Sequence, residues 1–150
     1  MKSLFSLSGL LLLGSCGNAP SAQKVSESEH IAAIEVRREG GDMGYASWMR
    51  ITRDSAWYWS NTVMTPENDD SFSRANTPEA WHELAGELNL EGFRAAMEGE
   101  SVQPVDGVDT EIAILTNKDT ITKRNAYENP EWNHVLRHTQ ILVDKQHVIR

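Results

Sequence analysis

The sequence predicts an α+β domain, an antiparallel sheet of about five strands with two helices packed on one face. Three observations carry this. Residues 31–61 alternate apolar and polar side chains in short runs separated by turn signals. Residues 111–124 repeat that pattern as a second hairpin. Residues 77–88 and 130–143 change to helical spacing, each behind a capping residue. The order is β-β-β-α-β-β-α.

The elements follow in chain order. In IAAIEVRR, residues 31–38, Ile34 and Val36 point one way while Glu35 and Arg37 point the other, as in a half-buried strand. EGGDMG, residues 39–44, supplies glycines for positive φ and a tight reversal. YASWMRIT reads as a second strand. RDSA, residues 53–56, reads as a turn in which Asp54 and Ser55 bond the local backbone. WYWSN, residues 57–61, reads as a third strand, with Trp57 and Trp59 on one face. The polar residues 62–76, with Pro66, read as a loop. Thr77 then caps a helix with Pro78 in its first position, and Trp81, Leu84, Ala85 and Leu88 form its apolar stripe. Residues 90–97 add a short helical turn resting on Phe93 and Met97, and residues 98–109 are irregular. EIAIL, TNKD and TITKR make the second hairpin. Asn129 caps the last helix, in which Trp132, Val135, Leu136, Thr139, Leu142 and Val143 share a face.

The first 15 residues read differently. Lys2 precedes an apolar run, LFSLSGLLLL, about half the ~20 residues a membrane-spanning helix needs. The chain's single cysteine, Cys16, follows Leu13, Gly14 and Ser15. Leu13-Gly14-Ser15-Cys16 resembles the lipobox of bacterial lipoprotein precursors. That resemblance implies a signal peptide over residues 1–15, cleavage before Cys16, and lipid on its sulfur and new amino group. Several acyl chains hold a protein on a bilayer where one holds it only reversibly. Gly17 follows the cysteine, which by resemblance to Gram-negative lipoproteins implies export to the outer membrane, facing the periplasm or the cell surface. Residues 16–29 then comprise the lipidated cysteine and a polar, flexible tether, and residues 30–150 the single folded domain.

Charge and motifs restrict the chemistry. A formal charge of −8 argues against a nucleic-acid partner, which needs clustered Lys and Arg. One cysteine leaves no disulfide within the chain and no cysteine-rich zinc site. His134 and His138 have i, i+4 spacing, but Val135 stands where a zincin motif has Glu. At about 200° and 240° from Trp132, they point away from the apolar stripe and read as solvated surface residues. ENDDS, residues 67–71, lacks the order of a calcium loop, GGDMG lacks dinucleotide spacing, and no serine sits in a G-x-S-x-G elbow. The expectation is a non-enzymatic domain with no cofactor and no metal. Its candidate partner-binding residues are Gly40, Gly41 and Asp42 in the turn and Trp48, Trp57 and Trp59 in the meander, because exposed aromatics favour partner contacts; against this stands the favoured expectation that the loop of residues 62–76 covers the tryptophans. The competing expectation is a small hydrolase or metal-dependent enzyme using His82, His134 or His138.

Across residues 31–143, IEVRREGGDMGY, VDGVDTEIAILTNKDTITKR and NPEW, with the strands and helices between, resemble small one-domain proteins that open with a strand and a G-G-x-x-G turn. These include small lipoproteins of the Bacteroidetes type and the emfourin-like proteins, which inhibit thermolysin-type metalloproteases. The resemblance implies the same α+β architecture; the lipobox, the absent catalytic motifs and the tryptophan-rich meander point to an envelope protein or peptide as partner, with a peptidase as a specific case. Asp42 stands where those families usually have Phe, so no inhibitory residue is carried over.

Overall fold

The computed structural model describes residues 28–148. The signal peptide, Cys16 and most of the tether expected from the sequence lie outside the described residues. Six strands form one sheet: β1 (Ile31–Gly40), β2 (Tyr45–Thr52), β3 (Ser55–Thr62), β4 (Asp70–Ala75), β5 (Val108–Thr116) and β6 (Thr120–Arg124). Their spatial order is β4-β3-β2-β1-β5-β6, and every neighbouring pair is antiparallel. The first strand is therefore central. Three α-helices follow the expected layering: α1 (Pro78–Trp81), α2 (Leu90–Arg94) and α3 (Pro130–Val148).

The α+β class and antiparallel sheet agree with the sequence reading, but the counts do not. The sixth strand is β4, inside the stretch read as a loop. Its sequence, DSFSRA, turns Ser71 and Ser73 to solvent. An edge strand needs only one good packing residue, and Phe72 supplies it by stacking on its register partner Tyr58 at 5.3 Å. The helix expected over residues 77–88 is shorter. Thr77 caps it, accepting from Ala80 N at 3.2 Å, but α1 ends at Trp81 and a widened π-type turn, His82–Gly86, continues. A Cβ on Gly86 would lie 2.4 Å from Nδ1 of the exposed His82 ring, which packs over the glycine. A third helix arises because α2 is separated from this turn and has its own cap, Asn89, whose side chain accepts from Gly92 N. It buries Phe93 as expected, but it stops at Arg94; Ala96 takes the inward place and Met97 is 86% exposed.

The strand ends also shift. β3 starts at Ser55, and the preceding turn is held by Thr52, not by Asp54 or Ser55 side chains. The Thr52 hydroxyl accepts from Asp54 N and Ser55 N and donates to Ser55 O. β5 starts at Val108, extending the ladder to Gly40.

One face of the sheet buries Ile34, Val36, Met49, Ile51, Ala56, Ile112, Ile114 and Ile121 against Leu84, Leu88, Phe93, Trp132 and Val135. Trp132 is fully buried, stacked 6.3 Å from Phe93, with the Tyr127 ring edge-on at 6.1 Å. Asn129 caps α3 as the sequence predicts, accepting from Glu131 N at 2.9 Å and Trp132 N at 3.0 Å.

The two ends of the sheet are fastened differently. At the start of β1, Asn117 Oδ1 accepts from His30 N, and the Asn117 backbone N–H donates to His30 O. Arg94 bridges Glu29 and Asp119. Ser28 and Glu29, placed in the tether by composition, thus already touch the fold: Asn117 Nδ2 donates to Ser28 O. At the other end, Gly41 N donates to Gly107 O at 2.9 Å and Gln103 Nε2 to Glu39 O at 3.1 Å, clasping the glycine turn to the 98–107 loop. Asn125 and Asp109 hold that loop. Asn125 Nδ2 donates to Glu100 O and to Asp109 Oδ1, while Ser101 Oγ and Val102 N donate to the Asp109 carboxylate.

Gly40 has φ +129°, and a Cβ there would lie 2.4 Å from Gly107 O. Gly40→Val should therefore destabilise the fold by roughly 2–4 kcal/mol, measured by urea unfolding. Retention of wild-type stability would show that this clasp is not formed.

Candidate functional site

The helices cover one side of the sheet. The register places on the other side a row Ser71–Trp59–Trp48–Arg37–Glu111–Arg124 and, beside it, a row Ser73–Trp57–Arg50–Glu35–Ala113–Thr122. Trp48 and Trp59 are direct cross-strand partners, and Trp57 lies two residues along on the same face. The structure thus brings the three candidate tryptophans together. Trp57 is 36% and Trp59 42% exposed; residues 62–76 do not cover them. Trp48 is half-buried, and its indole Nε1 donates to Glu35 Oε2 at 3.3 Å.

Glu35 is the centre of this face. Its carboxylate also accepts from Arg50 and, at 3.1 Å, from Arg37 Nη2. Burial pushes the carboxyl pKa up, but the hydrogen bonds from Trp48, Arg50 and Arg37 and the Arg50 charge outweigh it, leaving the pKa below its ordinary value. A buried carboxylate is tolerable here because it is fully partnered.

The glycine turn closes one end of the face. Gly40 and Gly41, both at positive φ, are half-buried against the 98–107 loop, whereas Asp42 is exposed at the tip. No protein-family model matches the chain, and no curated protein matches it. Beside the turn stand side chains that the sequence reading did not single out: Met43, Val63 and Met64, exposed by 42, 74 and 69%. Two backbone bonds join them, Val63 N to Gly44 O and Met64 N to Met43 O. Val105, on the clasping loop, is also exposed. Apolar residues inside otherwise polar loops were the signal available in the sequence.

Between this apolar pole and the Trp48–Trp59 pair lies a hollow of about 440 Å³ whose lining includes Arg37, Glu39 and the small side chain of Ala46. A second, of about 340 Å³, borders Gly40, Gly41 and Gln103. The pole lies at the end of β1 opposite Glu29; ten residues at ~3.3 Å separate the two by about 30 Å.

The histidines are placed otherwise than expected. His134 and His138 are half-buried, not solvated. His134 Nε2 donates to Leu84 O at 2.9 Å, tying α3 to the π-type turn, and His138 Nδ1 donates to His134 O at 2.9 Å. Their rings lie 4.3 Å apart. The turn that carries Leu84 comes over this part of α3, which the helical angles of α3 alone do not reveal. His82 is exposed on that turn, beside a hollow of about 490 Å³ at the Glu29 end, which Trp81, Leu88, Leu90 and Arg53 also line. Among the described residues, no group of three or more His, Cys, Asp or Glu side chains is arranged to hold a metal ion.

The lowered Glu35 pKa sets a pH dependence. Its contribution is fully present above the unfolded carboxyl pKa of about 4.3 and is lost as pH falls through the lower folded value. Glu35→Gln should cost about 1–2 kcal/mol at pH 7, and the gap from wild type should narrow as pH falls below the unfolded carboxyl value and through the lower folded one. Urea unfolding at pH 7, 5 and 3 reads this; a gap independent of pH would contradict the ionised network.

Proposed function

We propose that this chain is a lipid-anchored protein of the bacterial envelope, held through Cys16, whose domain binds a protein or peptide and is not an enzyme. The observation that carries the binding reading is the gathering of Met43, Val63 and Met64 around the clasped glycine turn, at the end of the sheet opposite Glu29. Flexible thioether and branched apolar side chains on a rigid turn suit an apolar partner surface. The polarity of the molecule fits an anchor on the Glu29 side: the contact surface then points away from the bilayer. The acidic chain gains nothing from anionic lipid, so the domain stands off the membrane on its tether.

A peptidase is one partner of this class, in line with the emfourin-like pattern. Asp42 at the tip replaces the usual Phe, and the neighbouring Met43 and Met64 supply apolar area in its place.

Two measurements test the reading. In the native host, the wild-type chain should fractionate with membranes and Cys16→Ser should move to the soluble fraction; an unchanged distribution would remove the anchor. The purified protein should lower the activity of a thermolysin-type or other envelope peptidase, and Met43→Glu with Met64→Glu should weaken that effect at least about tenfold without changing thermal unfolding. Turnover of a substrate by the domain would overturn the non-enzymatic reading, and undiminished inhibition by the double variant would overturn the pole as the contact.

A further inference from the structure

The helix-free sheet face has a property that the apolar pole does not need: it is complementary to itself. From the register alone, the face divides into two halves. The β4-β3-β2 half carries Ser71, Ser73, Trp59, Trp57, Trp48 and Arg50; the β1-β5-β6 half carries Arg37, Glu35, Glu111, Ala113, Arg124 and Thr122. One half is bulky and aromatic; the other is charged or small.

We infer that the partner of this face is a second copy of the same chain, packed face to face about a two-fold axis that runs between β1 and β2, parallel to the strands. That operation lays each row antiparallel on its own copy. The Arg50–Glu35 ion pair of one copy then lies antiparallel over the same pair of the other, opposite charges facing, and Trp48 faces Arg37 of the second copy, an Arg–aromatic pairing. Trp57 faces Ala113, a large side chain over a small one, and Ser73 faces Thr122. An isologous contact needs this kind of reciprocity, in which one residue meets a second and the second meets the first.

Charge and area agree with the assignment. The chain carries a formal −8, so most of its surface repels a copy of itself. On this face Arg37, Arg50 and Arg124 balance Glu35, Glu39 and Glu111. Asp109, on the same side, has its carboxylate turned into the 98–107 loop by Ser101, Val102 and Asn125. Six strands at ~4.8 Å spacing and ladders of about seven residues give about 700 Å² per copy. The total of about 1,400 Å² lies within the range of stable interfaces. Two such sheets pack about 10 Å apart, a distance that side chains of this size fill. The helices lie outermost, giving four layers, helix-sheet-sheet-helix.

The axis has a further consequence. It keeps both Glu29 ends on one side and both glycine turns on the other, so two copies can share one membrane surface and present two poles. Only this last point rests on the proposed anchor; the pairing rests on the face.

The test uses the full chain carrying Cys16→Ser, which has no other cysteine. Sedimentation between 1 and 100 µM, as roughly the range for a contact of this size, should show a dimer. Trp59→Glu should raise the concentration for half-dissociation by roughly tenfold or more, with an unchanged circular-dichroism spectrum. Independently, Trp57→Cys combined with Ala113→Cys should be joined between copies by a bifunctional thiol-reactive reagent of ~5 Å span, the gap that two cysteine side chains leave between sheets about 10 Å apart. Within one copy those positions are three strands, about 14 Å, apart, beyond the reach of that reagent. A monomer at all concentrations, a dimer indifferent to Trp59→Glu, or failure of the cysteine pair to link would each overturn the inference. A monomer would leave binding at the pole untouched, and loss of inhibition by the Met43 and Met64 variant would leave sedimentation untouched, so the two readings fail separately.

Discussion

A slip of β1 by one residue would invert the molecule. The strand is paired on both sides, to β2 and β5, so its alternation decides what both faces of the sheet contain. In register, Ile34 and Val36 lie under the helices, 0 and 5% exposed, and Glu35 lies on the other side. Out of register, a carboxylate would enter the apolar layer beneath Trp132 while two branched side chains faced water. Burying an unpaired charge costs several kcal/mol, and exposing two aliphatic side chains loses a few more. The clasp at Gly40 and the docking of His30 on Asn117 fix the two ends of this strand, so the same register is specified from both directions.

The two faces that result are stabilised by different physics. The helix side is held by area: Trp132, Phe93, Leu84 and the sheet isoleucines are removed from water together. The other side is held by direction: indole and guanidinium donors converge on one carboxylate. Because that network satisfies Glu35 with groups from its own strand and from β2, the face keeps its shape without a covering layer. The tryptophans next to it are consequently presented on a rigid frame, which lowers the entropic cost of any contact they make.

Much of the architecture was legible because it is encoded locally. The glycine turn, the 116–119 turn and the caps Thr77 and Asn129 each depend on a few consecutive residues. The same holds for the period-two pattern of β1, β2 and β5. What was hidden depends on neighbours distant in sequence. β4 has little apolar character because only Phe72 needs to pack, and the residue it packs on, Tyr58, belongs to another strand. The half-burial of His134 depends on the π-type turn, fifty residues earlier, whose Leu84 carbonyl it bonds. For the candidate site, the shared orientation of Trp57 and Trp59 follows from alternation. The pairing of Trp48 with Trp59 and the convergence on Glu35 follow from register, which no single segment specifies. Met43, Val63 and Met64 were overlooked for a related reason: two separate loops contribute them, and only the backbone bonds between those loops make them one surface.

The fastening at the start of the domain bears on how the molecule carries load. The chain ahead of Ser28 joins the fold at the first residue of the central strand, where Asn117 brackets His30 and Arg94 links Glu29 to Asp119. A pull through that segment runs along β1, and the ladders to β2 and β5 meet it in shear, many bonds at once, with no edge strand peeled away one rung at a time.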